Sequence, residues 1–268
     1  MELIDIGCNL THDSFDGDRA KVLQRAAEAG VMQMIVTGAS ERGSIAALRL
    51  ARVHPGILFA TAGVHPHHAV DFTADAETVI RDLAGQSGVV AAGETGLDYY
   101  RDFSPRAAQR RAFERQLQIG IECGLPVFLH QRDAHEDFIA ILREVQDKLG
   151  KRVVHCFTGT QDELHEYLEL DCFIGITGWI CDERRGTQMQ SFMKDIPSHR
   201  LMVETDSPYL KPRNLRPLVK THRNEPRWLP WIVSTLAACR EESPEQLAGQ
   251  TTINARGFFQ LPGPPPGN

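Results

Sequence analysis

The chain has little of what would place it in a membrane or outside the cell. Its six cysteines, Cys8, Cys123, Cys156, Cys172, Cys181 and Cys239, are scattered, with no C-x-x-C pair. That spacing builds neither a disulfide framework nor a cysteine-rich zinc site and suits reduced thiols in the cytoplasm. No run approaches the roughly 18 apolar residues of a membrane span. The opening Met1-Glu2-Leu3-Ile4-Asp5 lacks the basic stretch and apolar core of a signal peptide. Positive charge is not in excess either: 29 basic against 35 acidic residues leave a formal net charge of −6. A protein that coats nucleic acid without selectivity needs Lys and Arg clusters, so the balance argues against that class. A nuclease, whose cations can be confined to one cleft, stays open. No G-x-G-x-x-G follows the first apolar run, which argues against a dinucleotide-binding sheet.

What is present is a 268-residue globular composition, long enough to bury a core without staples. Eight short apolar runs predict strands: Leu3–Ile6, Met32–Thr37, Leu58–Val64, Val89–Gly93, Pro126–His130, Arg152–His155, Cys172–Ile176 and Leu201–Glu204. They lack internal alternation, as strands covered on both faces do. Amphipathic stretches separate them, among them Asp18–Ala29 closed by Gly30 and Pro105–Cys123 closed by Gly124. Eight strands with eight intervening or terminal helices, in about 250 residues, predict an α/β fold: a single (β/α)8 TIM barrel. The barrel is expected to span residues 1–260. The Pro/Gly-rich tail, 261–268, is expected to be disordered.

In such a barrel the chemistry sits where strands run into the following loops. Five of the eight predicted strand ends carry an imidazole or a carboxylate. Glu94, His130 and His155, on three consecutive strands, form a two-histidine, one-carboxylate set suited to a divalent cation. Asp206, two strands on, is expected as a fourth ligand or as general base to a bound water. His65 and His67 straddle a proline in the third loop and are read as phosphate or leaving-group contacts. Arg132 is read as orienting His130 or a phosphate. Asn224 and Glu225, just before Pro226, are expected to fix the loop that carries Asp206.

These residues lie in motifs that resemble the TatD family of metal-dependent deoxyribonucleases, among the amidohydrolase-like barrels. The motifs are Gly63-Val-His-Pro-His67, Gly93-Glu-Thr-Gly-Leu-Asp98, His130-Gln-Arg-Asp-Ala-His135, His155-Cys-Phe-Thr-Gly159, Glu204-Thr-Asp-Ser-Pro-Tyr-Leu210 and Arg223-Asn-Glu-Pro226. Gly178-Trp-Ile-Cys-Asp-Glu-Arg-Arg-Gly186 and the N-terminal Gly-x-Asn resemble the bacterial TatD branch. The resemblance implies hydrolysis of DNA phosphodiesters as a 3′–5′ exonuclease preferring single strands, with RNA as a further substrate and a role in DNA repair or degradation. It also implies Mg2+ as the cation, while histidine ligands suit Mn2+ or Zn2+ as well. A cytoplasmic monomer is expected. Most of the wider family opens with His-x-His, which helps hold one of two metals. Here Gly7 and Asn9 stand at those positions, so one firm metal site and one weakened site are expected.

The loop after the eighth strand, Lys211 to Arg227, carries six basic residues, Lys211 and Arg223 among them, against the single acid Glu225. Arg184 and Arg185 add to it from the loop before. This basic density is read as a phosphodiester-binding face, with Trp179, Tyr209, Tyr99 and Phe103 available to stack unpaired bases. Two other readings stay open on the residues alone: a metal hydrolase of a small amide or lactone, and a non-catalytic barrel that binds nucleic acid or protein.

Overall fold

The computed structural model describes residues 1–217 and 220–263. Eight strands run in parallel: β1 (Leu3–Cys8), β2 (Val31–Val36), β3 (Leu58–Ala62), β4 (Val89–Asp98), β5 (Val127–Arg132), β6 (Arg152–Val154), β7 (Phe173–Ile176) and β8 (Leu201–Val203). Each pairs with the next in sequence. The seam between β8 and β1 is joined just past β8, where Asp206 N donates to Gly7 O at 2.8 Å and Asn9 N to Ser207 O at 2.7 Å. The helices are α1 (Arg19–Glu28), α2 (Glu41–Val53), α3 (Ala74–Ala84), α4 (Arg106–Cys123), α5 (His135–Val145), α6 (Gln161–Glu169), α7 (Thr187–Gln190), α8 (Leu229–Arg240) and α9 (Pro244–Phe259). Gly124 ends α4 in the left-handed region at φ 64°, a conformation open to glycine at little cost.

Two apolar layers hold the barrel. The larger fills the space between strands and helices. The smaller is the barrel interior, where Ile4, Ile6, Ile35, Phe59, Ala91, Phe128, Val153 and Met202 meet Phe258, Phe259 and Leu261 from the end of α9 and just beyond it. That aromatic plug closes the N-terminal end of the strands and leaves the C-terminal rim as the open face. Leu261 is buried and Pro262 O accepts from Gln33 Nε2 at 3.1 Å, so the packed fold reaches past residue 260. The rest of the expected tail, 264–268, lies outside the described residues. No helix among them is long and apolar enough to cross a membrane.

The strand expectations differ from the fold most at β4, which runs five residues beyond Gly93, through Asp98. Its register against β5 slips between Gly93 and Thr95: Gly93 faces Phe128 and Thr95 faces Leu129, leaving Glu94 as the extra residue of a bulge. Bulges of this kind re-aim a side chain. Gly93 and Gly96 make it possible, since both adopt positive φ and a Cβ on either would overlap a carbonyl oxygen of β5, that of Phe128 or of His130.

The loop after β8 is tied down by charge. Glu225, nearly buried, accepts from Arg25 (2.9 and 3.0 Å) and Arg223 (2.9 Å) and pairs with Arg227 (3.2 Å). Asp18 binds Arg223 through both oxygens at 2.8 Å and Arg25 at 3.1 Å. The Arg223 hydrogen bonds, helped by Arg25, hold the Asp18 carboxyl down at about 2. Being depressed, it contributes stability above the ordinary pKa near 4, which is lost as pH falls toward 2. Removing a carboxylate buried against cations costs about 3–5 kcal/mol, and the partial exposure of these arginines lowers the expectation for Glu225→Ala to roughly 2–3 kcal/mol. A urea melt should show it, and an unchanged midpoint would mean that the network only decorates the loop.

Candidate active site

The sequence-predicted residues converge at the C-terminal rim, in a cleft of about 640 Å³ lined by Glu94, His65, His67, His130, His155, Arg132, Asn9 and Asp206 among others. Glu94 is its hub. Its Oε1 lies 2.8 Å from His155 Nε2, 3.0 Å from His130 Nδ1 and 3.4 Å from His65 Nε2. Burial alone would raise the Glu94 carboxyl, but His155 and His65 outweigh it and hold it well below its ordinary value.

The second nitrogen of each histidine settles what that ring can do. His155 Nδ1 sits 3.3 Å from Glu204 Oε2. A ring that gives its Nδ1 proton to Glu204 offers the Nε2 lone pair on the Glu94 side, the usual arrangement of a carboxylate-supported metal histidine. His130 Nε2 lies 3.5 Å from Asp98 Oδ2, too long to satisfy it, and this buried nitrogen has no hydrogen-bond partner. Its Nδ1 points to Glu94. His65 differs: its Nδ1 accepts from the His67 backbone N–H at 3.1 Å, so the neutral ring carries its proton on Nε2, which faces Glu94 Oε1 at 3.4 Å. His65, Glu94 and His130 bring ligand atoms within 4.8 Å of one another, yet the tautomer makes His65 a donor to the site. Glu94 and His130 are common to that cluster and to the expected set of Glu94, His130 and His155, in which His155 has its second nitrogen beside Glu204.

Burial opposes a proton on His155, but Glu94 and Glu204 overcome it and raise the ring well above its ordinary value. Asp206 is pushed up to about 7, mainly by burial, with His155 opposing and Glu94 adding to the rise. Its Oδ1 accepts from Asn9 Nδ2 at 2.9 Å, so the residue at the second His-x-His position orients the carboxylate. The first position is closed for a steric reason: a Cβ on Gly7 would overlap Glu204 Oε2 and come within 3.1 Å of Phe128 Cζ. Glu204 thus fills the space a histidine at position 7 would need. It also accepts from Cys156 N at 2.5 Å. Gly7→Ala should therefore displace Glu204, untether His155 and weaken cation binding roughly 10–100-fold. Titration of Mn2+ by calorimetry checks this, and wild-type affinity in the variant would refute it.

Asn224 and Glu225 do fix the Asp206 loop: Asn224 Nδ2 donates to Thr205 O and its N–H to Pro208 O, both at 2.9 Å, while Glu225 anchors the arginines. The cationic face differs from the expectation. Arg223 is spent on Asp18 and Glu225, and Arg184 grips Asp182 through two bonds of 3.1 and 3.0 Å. Lys211 donates to Thr221 O and lies 5.9 Å from the Trp228 ring. Arg223 has both Nη atoms on carboxylates, whereas Arg184 keeps Nη1 outside its Asp182 bonds on a side chain that is about half exposed. Arg132 and Arg185 instead have no acid partner among the described residues and stack on aromatic rings, Arg132 3.8 Å from the Tyr100 centroid and Arg185 5.4 Å from that of Trp179. His67 Nε2 contacts Asp98 Oδ2 at 2.8 Å. Glu204 and Asp98 stood in the motifs without a role.

Comparison with known proteins agrees with this geometry. The TatD-related DNase family matches residues 4–260. A protein of Erwinia tasmaniensis named 3′-5′ ssDNA/RNA exonuclease TatD is 50% identical over 259 residues, covering 97% of this chain and all of that protein. One of Yersinia pseudotuberculosis with the same name is 49% identical over the same shares. Among solved structures, a TatD homologue from Escherichia coli superposes with a TM-score of 0.88 at 27% identity, covering 97% of this chain and 98% of its own. A TatD-family hydrolase from Entamoeba histolytica does so at 0.86 and 27%, covering 98% and 99%. With its barrel, its rim of histidines and carboxylates and a match over nearly its whole length, the chain belongs to the TatD-related DNase family.

Proposed function

We propose that this protein is a divalent-metal-dependent exonuclease that removes nucleotides from the 3′ end of single-stranded DNA, and of RNA, acting as a cytoplasmic monomer with Mg2+ as its cation. The observation that carries the reading is the convergence of three imidazole nitrogens on one oxygen of a buried, ionised carboxylate beside Asp206. The names of the relatives supply substrate class and polarity. Glu94, His130 and His155 would hold the cation, which when bound polarises a phosphoryl oxygen and acidifies a water. Asp206 takes the proton of the attacking water: Asn9 occupies Oδ1, and Oδ2 accepts no hydrogen bond among the described residues. As the water oxygen bonds to phosphorus and the bond to the 3′ oxygen breaks, the 3′ oxygen leaves with the bonding pair and takes a proton from solvent, while Arg132 offsets the charge gathering on the phosphoryl oxygens. His65, protonated on Nε2, keeps Glu94 fixed.

The test is degradation of a 5′-labelled single strand by metal-stripped protein before and after adding Mg2+ or Mn2+, beside Glu94→Ala. A stepwise ladder that requires metal and vanishes in the variant supports the reading. No metal-dependent product from intact protein overturns it.

A further inference from the structure

Large aromatic side chains are rarely left in water without a reason, because each forgoes the burial of a large apolar area. Among the described residues three are mostly exposed, Tyr100, Phe103 and Tyr209; Tyr100 and Tyr209 line the cleft, and Phe103 lies against the ring of His67, which lines it too. Tyr100 is the best placed. It lines the same cleft as Glu94 and His130 and is 57% exposed. The Arg132 guanidinium lies 3.8 Å from its ring centroid and that of Arg101 5.7 Å away. Neither arginine has an acid partner among the described residues, in a protein whose arginines are otherwise mostly paired. A guanidinium stacked on a ring fixes the orientation of both while its N–H edge stays available to an anion.

We propose that Tyr100, held by Arg132, is the stacking platform for the unpaired nucleobase next to the cleaved phosphate, and that this contact selects single-stranded substrate over duplex. The chemistry follows from the pair. An aromatic ring beside a cation attracts any base through its π-face, whatever the sequence, while the adjacent guanidinium meets the phosphate of the same nucleotide. A base in a duplex is already stacked and paired and must be pulled out before it can use the ring. Phe103, its ring 4.8 Å from that of His67, borders the platform on the same loop. The proposal rests on the nuclease reading above and adds a specificity determinant to it.

The experiment compares two 5′-labelled single strands, one with natural bases and one whose last three 3′ residues are abasic tetrahydrofuran nucleotides. Tyr100→Ala should raise KM about 10-fold on the natural strand and clearly less on the abasic strand, where only the loosened Arg132 contact to the phosphate is felt, with kcat affected alike on both. Tyr100→Trp should restore the natural KM, and Ile253→Ala, an exposed apolar residue on α9, should behave as wild type. Equal losses on both strands would mean that Tyr100 acts only by holding Arg132 and would overturn the platform, as would failure of Tyr100→Trp to restore KM. If wild type degrades the natural strand and Tyr100→Ala matches it, this proposal alone falls. A wild type inert on both strands would overturn the nuclease reading and the platform together.

Discussion

Glu94→Gln should lower kcat on a single-stranded substrate by at least about 10³-fold and abolish high-affinity cation binding, with the fold intact. The substitution keeps the shape of the side chain and removes its charge, so the bulge of β4 still presents it at the rim. What is lost is the anionic oxygen shared by His155, His130 and His65 at 2.8–3.4 Å. A neutral amide oxygen is a poor ligand, and an amide NH2 turned toward His155 Nε2 or His130 Nδ1 would occupy a lone pair there. A cation that cannot bind withdraws both the acidified water and the polarised phosphoryl group, a loss of several kcal/mol in transition-state stabilisation. Calorimetric titration with Mn2+ and single-turnover rates should fall together. Retained turnover at saturating Mg2+ would show that the cation is held elsewhere and would remove Glu94 from the centre of the site.

The barrel was legible because its strands are short apolar runs covered on both faces, and because a glycine stands where α4 must stop. The cluster at the rim was legible too, since a (β/α)8 fold brings the ends of neighbouring strands together, so Glu94, His130 and His155 could be joined across 61 residues. Three things were not legible. The bulge at Glu94 depends on the register of β4 against β5: Gly93 and Gly96 permit it, but which residue is left over is decided by the partner strand. The pairing of arginines is a property of the folded loop: Arg223 and Asp18 are 205 residues apart, so the sequence shows a basic stretch but not that Arg223 within it is held by carboxylates. The steric role of Gly7 is equally non-local. In sequence it is a missing histidine; in the structure its missing Cβ is the room taken by Glu204, which in turn orients His155.

Asp206→Asn should separate ligand from base. If Asp206 accepts the proton of the attacking water, the variant should lose roughly 10²–10⁴-fold in kcat while binding Mn2+ within about threefold of wild type. The geometry favours that split. Asn9 Nδ2 already occupies Oδ1, the residue is half-buried, and desolvation holds its pKa at about 7, with Glu94 adding to the rise and His155 opposing it. A group with that pKa is a competent base near neutral pH. A bound cation favours its ionised form, so the acid limb of the wild-type kcat profile should lie below 7. Asn cannot titrate, and the limb assigned to Asp206 should disappear with the residue. Asn9→Ala supplies the counterpart: it leaves the carboxylate in place but removes its anchor, and kcat should drop about 10-fold with the limb retained. Parallel losses of kcat and Mn2+ affinity in Asp206→Asn would make the residue chiefly a ligand, and the base would then have to be sought elsewhere among the carboxylates of the rim.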